Sequence, residues 1–269
     1  MHSVKLAQIS DIHIGGDYEG QFPVWDNFMR LIKAVEPGRY LIITGDLADC
    51  DHEKNYTEIK KILDDNFGGN YSVLPGNHDD VDVFNNIFAG HTESFALNGL
   101  NVSLLPTVAV NIQDMKTGEM HVEGNIDPRV YAPTCILPDS LVFTHYPVLD
   151  SKHQFMNQFA LDQGAKDWIV KEMQTKDCHY VFCGHFHDMT VVKYKQNLTQ
   201  FRKTGMRQFE TMIDSEITQY MCPASQCQIE AYSSKFTCTS IDPNGYNIDV
   251  AIDNGKLYGV AVYDLMEAE

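Results

Sequence analysis

The stretch Tyr40-Leu41-Ile42-Ile43-Thr44-Gly45-Asp46-Leu47-Ala48-Asp49 decides the fold. Its first four residues are an apolar run of the length and type of a buried strand. Thr44-Gly45 ends the run, and two carboxylates follow at once. The same arrangement stands on either side. Val4 to Ser10 gives way to Asp11-Ile12-His13, and Tyr71 to Leu74 gives way to Pro75-Gly76-Asn77-His78-Asp79. Between these runs lie segments of helical spacing. Val24, Phe28, Leu31, Ile32 and Val35 share one face before Pro37-Gly38 stops the pattern, and Tyr56, Ile59, Ile62 and Leu63 share another. Val81 to Phe88 reads as a short helix. Strand and helix in alternation predict a sheet flanked by helices, with right-handed crossovers.

Further on, Phe95 to Leu97, Val102 to Leu105, Val108 to Ile112, Leu141 to Thr144, Tyr180 to Cys183 and Val191 to Lys195 read as strands, with a helix around Ala165 to Met173. So do Tyr220 to Cys222, Ile229 to Tyr232, Tyr246 to Ile252 and Leu257 to Leu265. Asn254-Gly255 joins the last two, the strongest short hairpin signal. Residues 113–140 carry no readable period. Residues 197–217, polar and basic in part, read as a helical surface excursion. Without repeat, linker or composition shift, residues 1–269 are expected to form one domain. Residues 197–269 extend its core as that excursion plus a terminal hairpin.

With 269 residues, 43% of them hydrophobic, the chain can bury a substantial core. Its formal charge of −17 opposes binding to long nucleic acid, which rests on Lys and Arg. The start, Met1 to Leu6, runs straight into a strand with no apolar leader, and no stretch reads as a membrane span, so a cytoplasmic protein is expected. The seven cysteines form no CxxC pair, which points to reduced thiols rather than a disulfide framework or a zinc site.

Five clusters each follow an apolar run: Asp11-Ile12-His13, Gly45 to Asp49, Gly76 to Asp79, Thr144-His145-Tyr146-Pro147 and Gly184-His185-Phe186-His187. Functional groups collect at the carboxyl ends of strands in open α/β sheets. Asp and His offer the oxygen and nitrogen ligands that divalent metals take without a thiolate. On an extended segment, Asp11 and His13 would point the same way and reach one ion. His185 and His187 have the same spacing. A carboxylate such as Asp46 can bridge two ions in two-metal hydrolysis.

The ordered set DxH, GDxxD, GNHD, a lone His before Pro, and GHxH resembles the calcineurin-like metallophosphoesterases over Asp11 to His187, about two thirds of the chain. Within them the chain is most similar to the class III cyclic-nucleotide phosphodiesterases and their glycerophosphodiesterase relatives. Leu74 to Asp80, Val181 to His185, Met156-Asn157 and Cys222 to Cys227 carry that likeness. The resemblance implies an α/β fold: a four-layer αββα sandwich of two mixed sheets flanked by helices. It implies two divalent metal ions, manganese, iron or zinc. Asp11, His13, Asp46 and His187 would surround the first; Asp46 would bridge; Asn77, His145 and His185 would complete the second. His78 would contact the phosphate without ligating, and Asn77, His187, Met156 and Asn157 would line the substrate site. The implied reaction is hydrolysis of a small anionic phosphodiester by metal-activated hydroxide. 3′,5′-Cyclic nucleotides lead, with glycerophosphodiesters or broad phosphatase activity next. A noncatalytic module on the same fold is the competing class. Relatives often assemble through their carboxyl-terminal parts, so a homo-oligomer is compatible.

The chain departs from these relatives in three places, one of them the stretch 197–217, which is longer than usual. A helix usual before the strand of the lone His is replaced by the broken stretch 124–140, and Asn157 stands where many relatives have Asp. Asp49 and Asp79 are read as hydrogen-bonding supports. Asp17 and Tyr18, in the first loop, are read as solvated at least as readily as facing substrate. His2, His52, His91, His121, His153 and His179 have no motif context and are expected on the surface or in the core. Lys193, Lys195, Arg202, Lys203 and Arg207 form the basic cluster, read first as a solvated face.

Overall fold

The run Leu41-Ile42-Ile43 divides its side chains between two cores. The computed structural model describes residues 1–16, 22–113, 120–126, 136–151, 154–194, 199–202, 208–211, 216–232, 235–240 and 242–266. In β2 (Tyr40–Thr44), Ile42 faces a second sheet, while Leu41 and Ile43 face helices. Its neighbours β1 (His2–Ile9) and β3 (Tyr71–Leu74) run parallel to it and alternate the same way. Leu6 and Leu74 turn inward with Ile42, and Ile9 and Val73 outward with Ile43. This is the period-two consequence of a pleated strand covered on both faces.

The outward face is covered by α1 (Val24–Ala34), α2 (His52–Phe67) and α3 (Val81–Ile87). Phe28, Leu31, Tyr56, Ile59, Phe84 and Phe88 supply that layer, all fully buried. The αL residue Gly68 at φ 57 closes α2, the backbone that glycine adopts at least cost. Asp80 caps α3 by accepting from the amides of Asp82 and Val83.

The second sheet contains β4 (Phe95–Leu97), β5 (Leu100–Leu105), β8 (Ser140–Thr144), β9 (Tyr180–Cys183), β10 (Thr190–Tyr194), β11 (Thr199–Arg202) and β13 (Ile217–Met221), in the order β11-β10-β13-β9-β8-β5-β4. Strands β5, β8, β9 and β13 are mutually parallel. Phe143, Phe182 and Tyr220 stack between the sheets, with ring centroids 5.0 and 5.1 Å apart. On the far face, Val142 and Val181 pack on Ala165, Ile169 and Met173 of α5 (Gln163–Thr175), beside the one-turn α4 (Gln154–Asn157). Helices, sheet, sheet and helices therefore lie in four layers, as the resemblance implies.

The first sheet continues through β16 (Tyr246–Asp253), β17 (Lys256–Asp264) and β12 (Gln208–Thr211), in the order β12-β17-β16-β1-β2-β3. Asn254 and Gly255, at φ 50 and 77, make the turn that their sequence predicts. The helical reading of 197–217 is corrected. Its described parts are the edge strands β11 and β12, one on each sheet. Thr199 to Arg202 and Gln208 to Thr211 take the open edges beside β10 and β17. The unassigned 113–140 contains β7 (Met120–Ile126), antiparallel to β6 (Thr107–Gln113). A further ribbon, β14 (Gln228–Tyr232) with β15 (Lys235–Ser240), adds a strand absent from the sequence reading. Asp17, Tyr18, Asp127, Pro128, Ala132, Pro133, Cys135, His153, Lys195, Lys203 and Arg207 lie outside the described residues. Among those described, no helix is long and apolar enough to cross a membrane.

Candidate metal centre

Because β1, β2 and β3 are parallel neighbours, and β8 and β9 are too, the five clusters emerge at one edge of the two sheets. Three backbone bonds lace the first two loops together: Asp11 N–H to the Gly45 carbonyl, His13 N–H to Asp46 and Ile14 N–H to Leu47, at 3.0, 2.9 and 2.9 Å. The Gly184 amide donates to the His145 carbonyl at 2.9 Å, fixing the other two loops. Gly76 passes so close to Asp46 that a β-carbon there would overlap its carboxylate, and one at Gly184 would overlap Ser10.

The Asp11-x-His13 geometry departs from expectation. The segment is not extended. Asp11 and His13 both lie in the left-handed region, at φ 54 and 53, with Ile12 buried in the helix-facing core. Asp46, His185 and His187 share that region at φ 53, 73 and 50. Five candidate ligands thus hold a conformation that costs a non-glycine residue about 1 kcal/mol or more. The bonds between loops hold them there. His185 and His187 do not reach one point, because their left-handed turns send the rings apart. His187 joins Asp11 and His13, whereas His185 joins Asp46 and His145.

In the first group, Nε2 of His13 faces Nε2 of His187 at 3.1 Å, and Asp11 Oδ1 lies 3.4 Å from the latter. In the second, Nε2 of His145 faces Asn77 Oδ1 at 3.0 Å. Asp46 Oδ2 stands between the groups, 3.6 Å from His13 Nε2 and 3.4 Å from His145 Nε2. The outer partners set the tautomers. Nδ1 of His13 donates to Asp49 at 2.7 Å and Nδ1 of His145 to the Thr44 carbonyl at 2.7 Å, leaving each Nε2 lone pair aimed inward. His185 uses Nε2 on the Phe159 carbonyl at 2.8 Å and keeps Nδ1 for the interior. Lone pairs directed at lone pairs need a proton or a cation between them.

Charge leads to the same requirement. Asp11 and Asp46 are buried, and among the described residues their ion-pair partners are histidines alone. Burial opposes the Asp11 charge, yet His187 and His145 hold its carboxyl down at about 2. Asp46 is likewise held well below the usual range by His145, His13 and His78 against the cost of burial. Burial opposes a charge on His145, but Asp46 and Asp11 push it up to about 9. Burial and His145 push His185 down to about 3. Imidazoles that can give up their protons to a cation, set around buried carboxylates, are the donor set of a divalent cation site, and the residues present fit two such ions.

His78 stands apart. Its ring is 40% exposed, the most open of the set, and its Nδ1 lies 2.8 Å from Asp49 Oδ1. That same oxygen takes His13, so His13, Asp49 and His78 form one hydrogen-bonded cluster. The bond to Asp49 raises the affinity of His78 for its proton. Asp79 accepts from the amides of Leu47 and Gly76 and from the Tyr56 hydroxyl at 3.0, 2.8 and 2.8 Å, and so knits the loops after β2 and β3. Its supporting role is the one expected. Met156 lies in the core beneath α5, and Asn157 clamps the Ser151 backbone through both ends of its amide, at 2.7 and 2.9 Å. His52, set aside on sequence, places Nε2 3.1 Å from the His78 carbonyl and 3.2 Å from that of Ala48. No motif marks it beyond its position three residues after Asp49.

Comparison with known proteins agrees with this geometry. A Fibrobacter succinogenes protein named as a probable cyclic nucleotide phosphodiesterase is 22% identical over 253 residues, covering 89% of this chain and 87% of that protein. A Coxiella burnetii protein named likewise is 24% identical over 212 residues, 72% of this chain and 80% of its own length. Among solved structures, the purple acid phosphatase of yellow lupin superposes with TM-score 0.53 at 13% identity, over 97% of this chain and 53% of that one. The inner-membrane-complex anchor GAP50 of Plasmodium gives 0.51 at 10%, over 100% and 87%. These two share the fold. The sequence model of the calcineurin-like phosphoesterases matches residues 4–189, a span that takes in every donor described above, and the chain belongs to that family of metal-dependent phosphoric ester hydrolases.

Proposed function

We propose that this chain is a binuclear phosphodiesterase acting on small phosphodiesters, with 3′,5′-cyclic nucleotides the leading substrate. The observation that carries the two-ion reading is the position of Asp46 Oδ2 between His13 and His145. One carboxylate oxygen serves both donor groups, as a bridge between two ions must. Asp11, His13 and His187 would complete the first ion's shell, and Asn77, His145 and His185 the second's. When bound, two divalent cations supply charge neutralisation and an acidified water nucleophile; manganese, iron and zinc all suit the donors.

The protein's own groups do the rest. Asp49 fixes the His78 ring and raises its affinity for a proton. The exposed edge of that ring can then donate to a phosphoryl oxygen or to the departing alkoxide, offsetting charge where it develops. Asn77 would hold the phosphoryl group from the opposite side. The names of the two relatives support the cyclic-nucleotide reading. The chain is read as one domain, since β16 pairs onto β1 and β17 onto β16, and β13 stands between β9 and β10.

A substrate panel tests the proposal. Manganese-loaded protein is offered cyclic nucleotides, glycerophosphodiesters and nucleoside monophosphates. The highest kcat/KM is expected for a cyclic nucleotide. A preference for monoesters would overturn the diesterase reading, and a preference for glycerophosphodiesters would move the substrate alone.

A further inference from the structure

Cys227 and Cys238 form a pair of thiols that the hydrolytic reaction does not use. Cys227 is buried at the end of the segment Cys222 to Cys227, and Cys238 is exposed on β15. Ile229 pairs with Cys238 while Gln228 pairs with Ser240, so the ladder carries a bulge beside Cys227. A bulge re-aims its neighbours, and the register sets Cys227 two residues from Ile229, the residue that faces Cys238. The chain on either side of Cys227 braces the metal loops from outside. The amide and hydroxyl of Ser225 donate to the Ser10 carbonyl at 3.0 and 2.8 Å, and the Ile229 amide donates to the His187 carbonyl at 2.8 Å.

We propose that Cys227 and Cys238 form a reversible disulfide under hydroperoxide, which locks the β14–β15 ribbon onto the loops that carry Asp11 and His187. The exposed Cys238 reacts first. Its thiolate attacks one peroxide oxygen; an S–O bond forms, the O–O bond breaks, and an alcohol, or water from hydrogen peroxide, leaves. The Cys227 sulfur then attacks the sulfenic sulfur of Cys238. An S–S bond forms and water departs. In sum, two thiols and one hydroperoxide give one disulfide, one alcohol and one water, with two electrons passing from sulfur to the peroxide. Thiol reductants reverse the step by exchange.

The test uses the full, manganese-loaded chain treated with equimolar hydrogen peroxide, alkylated, digested and examined by mass spectrometry. A linked peptide joining Cys227 to Cys238, lighter by two hydrogens than the sum of the free peptides, is expected. It should vanish with dithiothreitol and be absent from Cys238→Ser. Amide exchange of the peptide containing Ile229 should slow severalfold in the oxidised protein and stay unchanged in the treated variant. Sulfinic acid at Cys238, or linkage to another cysteine, overturns the pair. A linked peptide with unchanged exchange at Ile229 overturns the lock. Neither readout depends on catalysis, so failure here leaves the phosphodiesterase reading intact, and the reverse holds too.

Discussion

Asp49 and His78 meet at 2.8 Å through a carboxylate oxygen that also holds His13 at 2.7 Å, so one side chain orients both a candidate ligand and the candidate proton donor. Asparagine at position 49 keeps an oxygen there but loses the charge that raises the proton affinity of His78. Asp49→Asn is expected to lower turnover of bis(p-nitrophenyl) phosphate by about 10–100-fold, as loss of an outer partner does at metal sites. His78→Ala should lose about 10²–10⁴-fold while binding the same amount of manganese. A collapse of metal content in His78→Ala would make it a ligand and refute its assigned part.

Asp46 is the proposed bridge, and its loss should differ in kind. With Oδ2 near both His13 and His145, Asp46→Asn is expected to release both ions, whereas Asn77→Ala should weaken one. Elemental analysis after gel filtration reads the difference. Retention of one full equivalent by Asp46→Asn would contradict the bridge.

Asp79 supports stability rather than turnover. Removing its carboxylate strands the buried amides of Leu47 and Gly76 and the Tyr56 hydroxyl. Each unpaired buried group costs about 1–3 kcal/mol, so Asp79→Ala should lose about 3–5 kcal/mol in urea unfolding. A loss under about 1 kcal/mol would show that the loops after β2 and β3 do not depend on it.

Arg39 ties the opposite end of the first sheet. Its buried guanidinium meets Asp249 at 2.7 Å, Glu36 at 2.9 Å, the Leu6 carbonyl at 3.2 Å and Tyr263 at 2.9 Å. Burial opposes the charge of Asp249, but the bonds from Tyr263 and Arg39 outweigh it and hold its carboxyl below the usual range. The sign follows: a depressed folded pKa contributes stability that is present above the unfolded value of about 4 and is lost as pH falls through the folded one. Asp249→Asn should therefore destabilise at neutral pH and approach the parent protein in acid. A stability gap that stays constant from neutral pH into acid would contradict the pairing.

The parallel strands were legible in the sequence because each is a short apolar run buried on both faces, and a chemistry-bearing loop follows each. Tyr40 to Thr44 is the clearest case. The site's donors were legible for the same reason, since Asp11, Asp46, Asn77, His145, His185 and His187 stand where buried runs end. What was not legible depends on partners distant in sequence. Strand β7 places Met120, Val122 and the buried Ile126 at alternate positions, but Gly124 interrupts the pattern; its course follows from pairing with β6 and from Gly124, where a β-carbon would strike the Tyr146 ring at 2.7 Å. Residues 199–202 and 208–211 become strands by occupying open edges. The divergence of His185 from His187 comes from left-handed turns that no period reveals. His52 acts through the His78 carbonyl, a contact made by folding alone.

The most direct test of the two-ion account is a manganese titration of metal-free protein, with turnover of bis(p-nitrophenyl) phosphate followed at each addition. Activity is predicted to stay low through the first bound equivalent and to rise to its plateau with the second. Full activity at one equivalent would contradict the binuclear centre, and two bound ions without turnover, in manganese, iron or zinc, would contradict the enzyme.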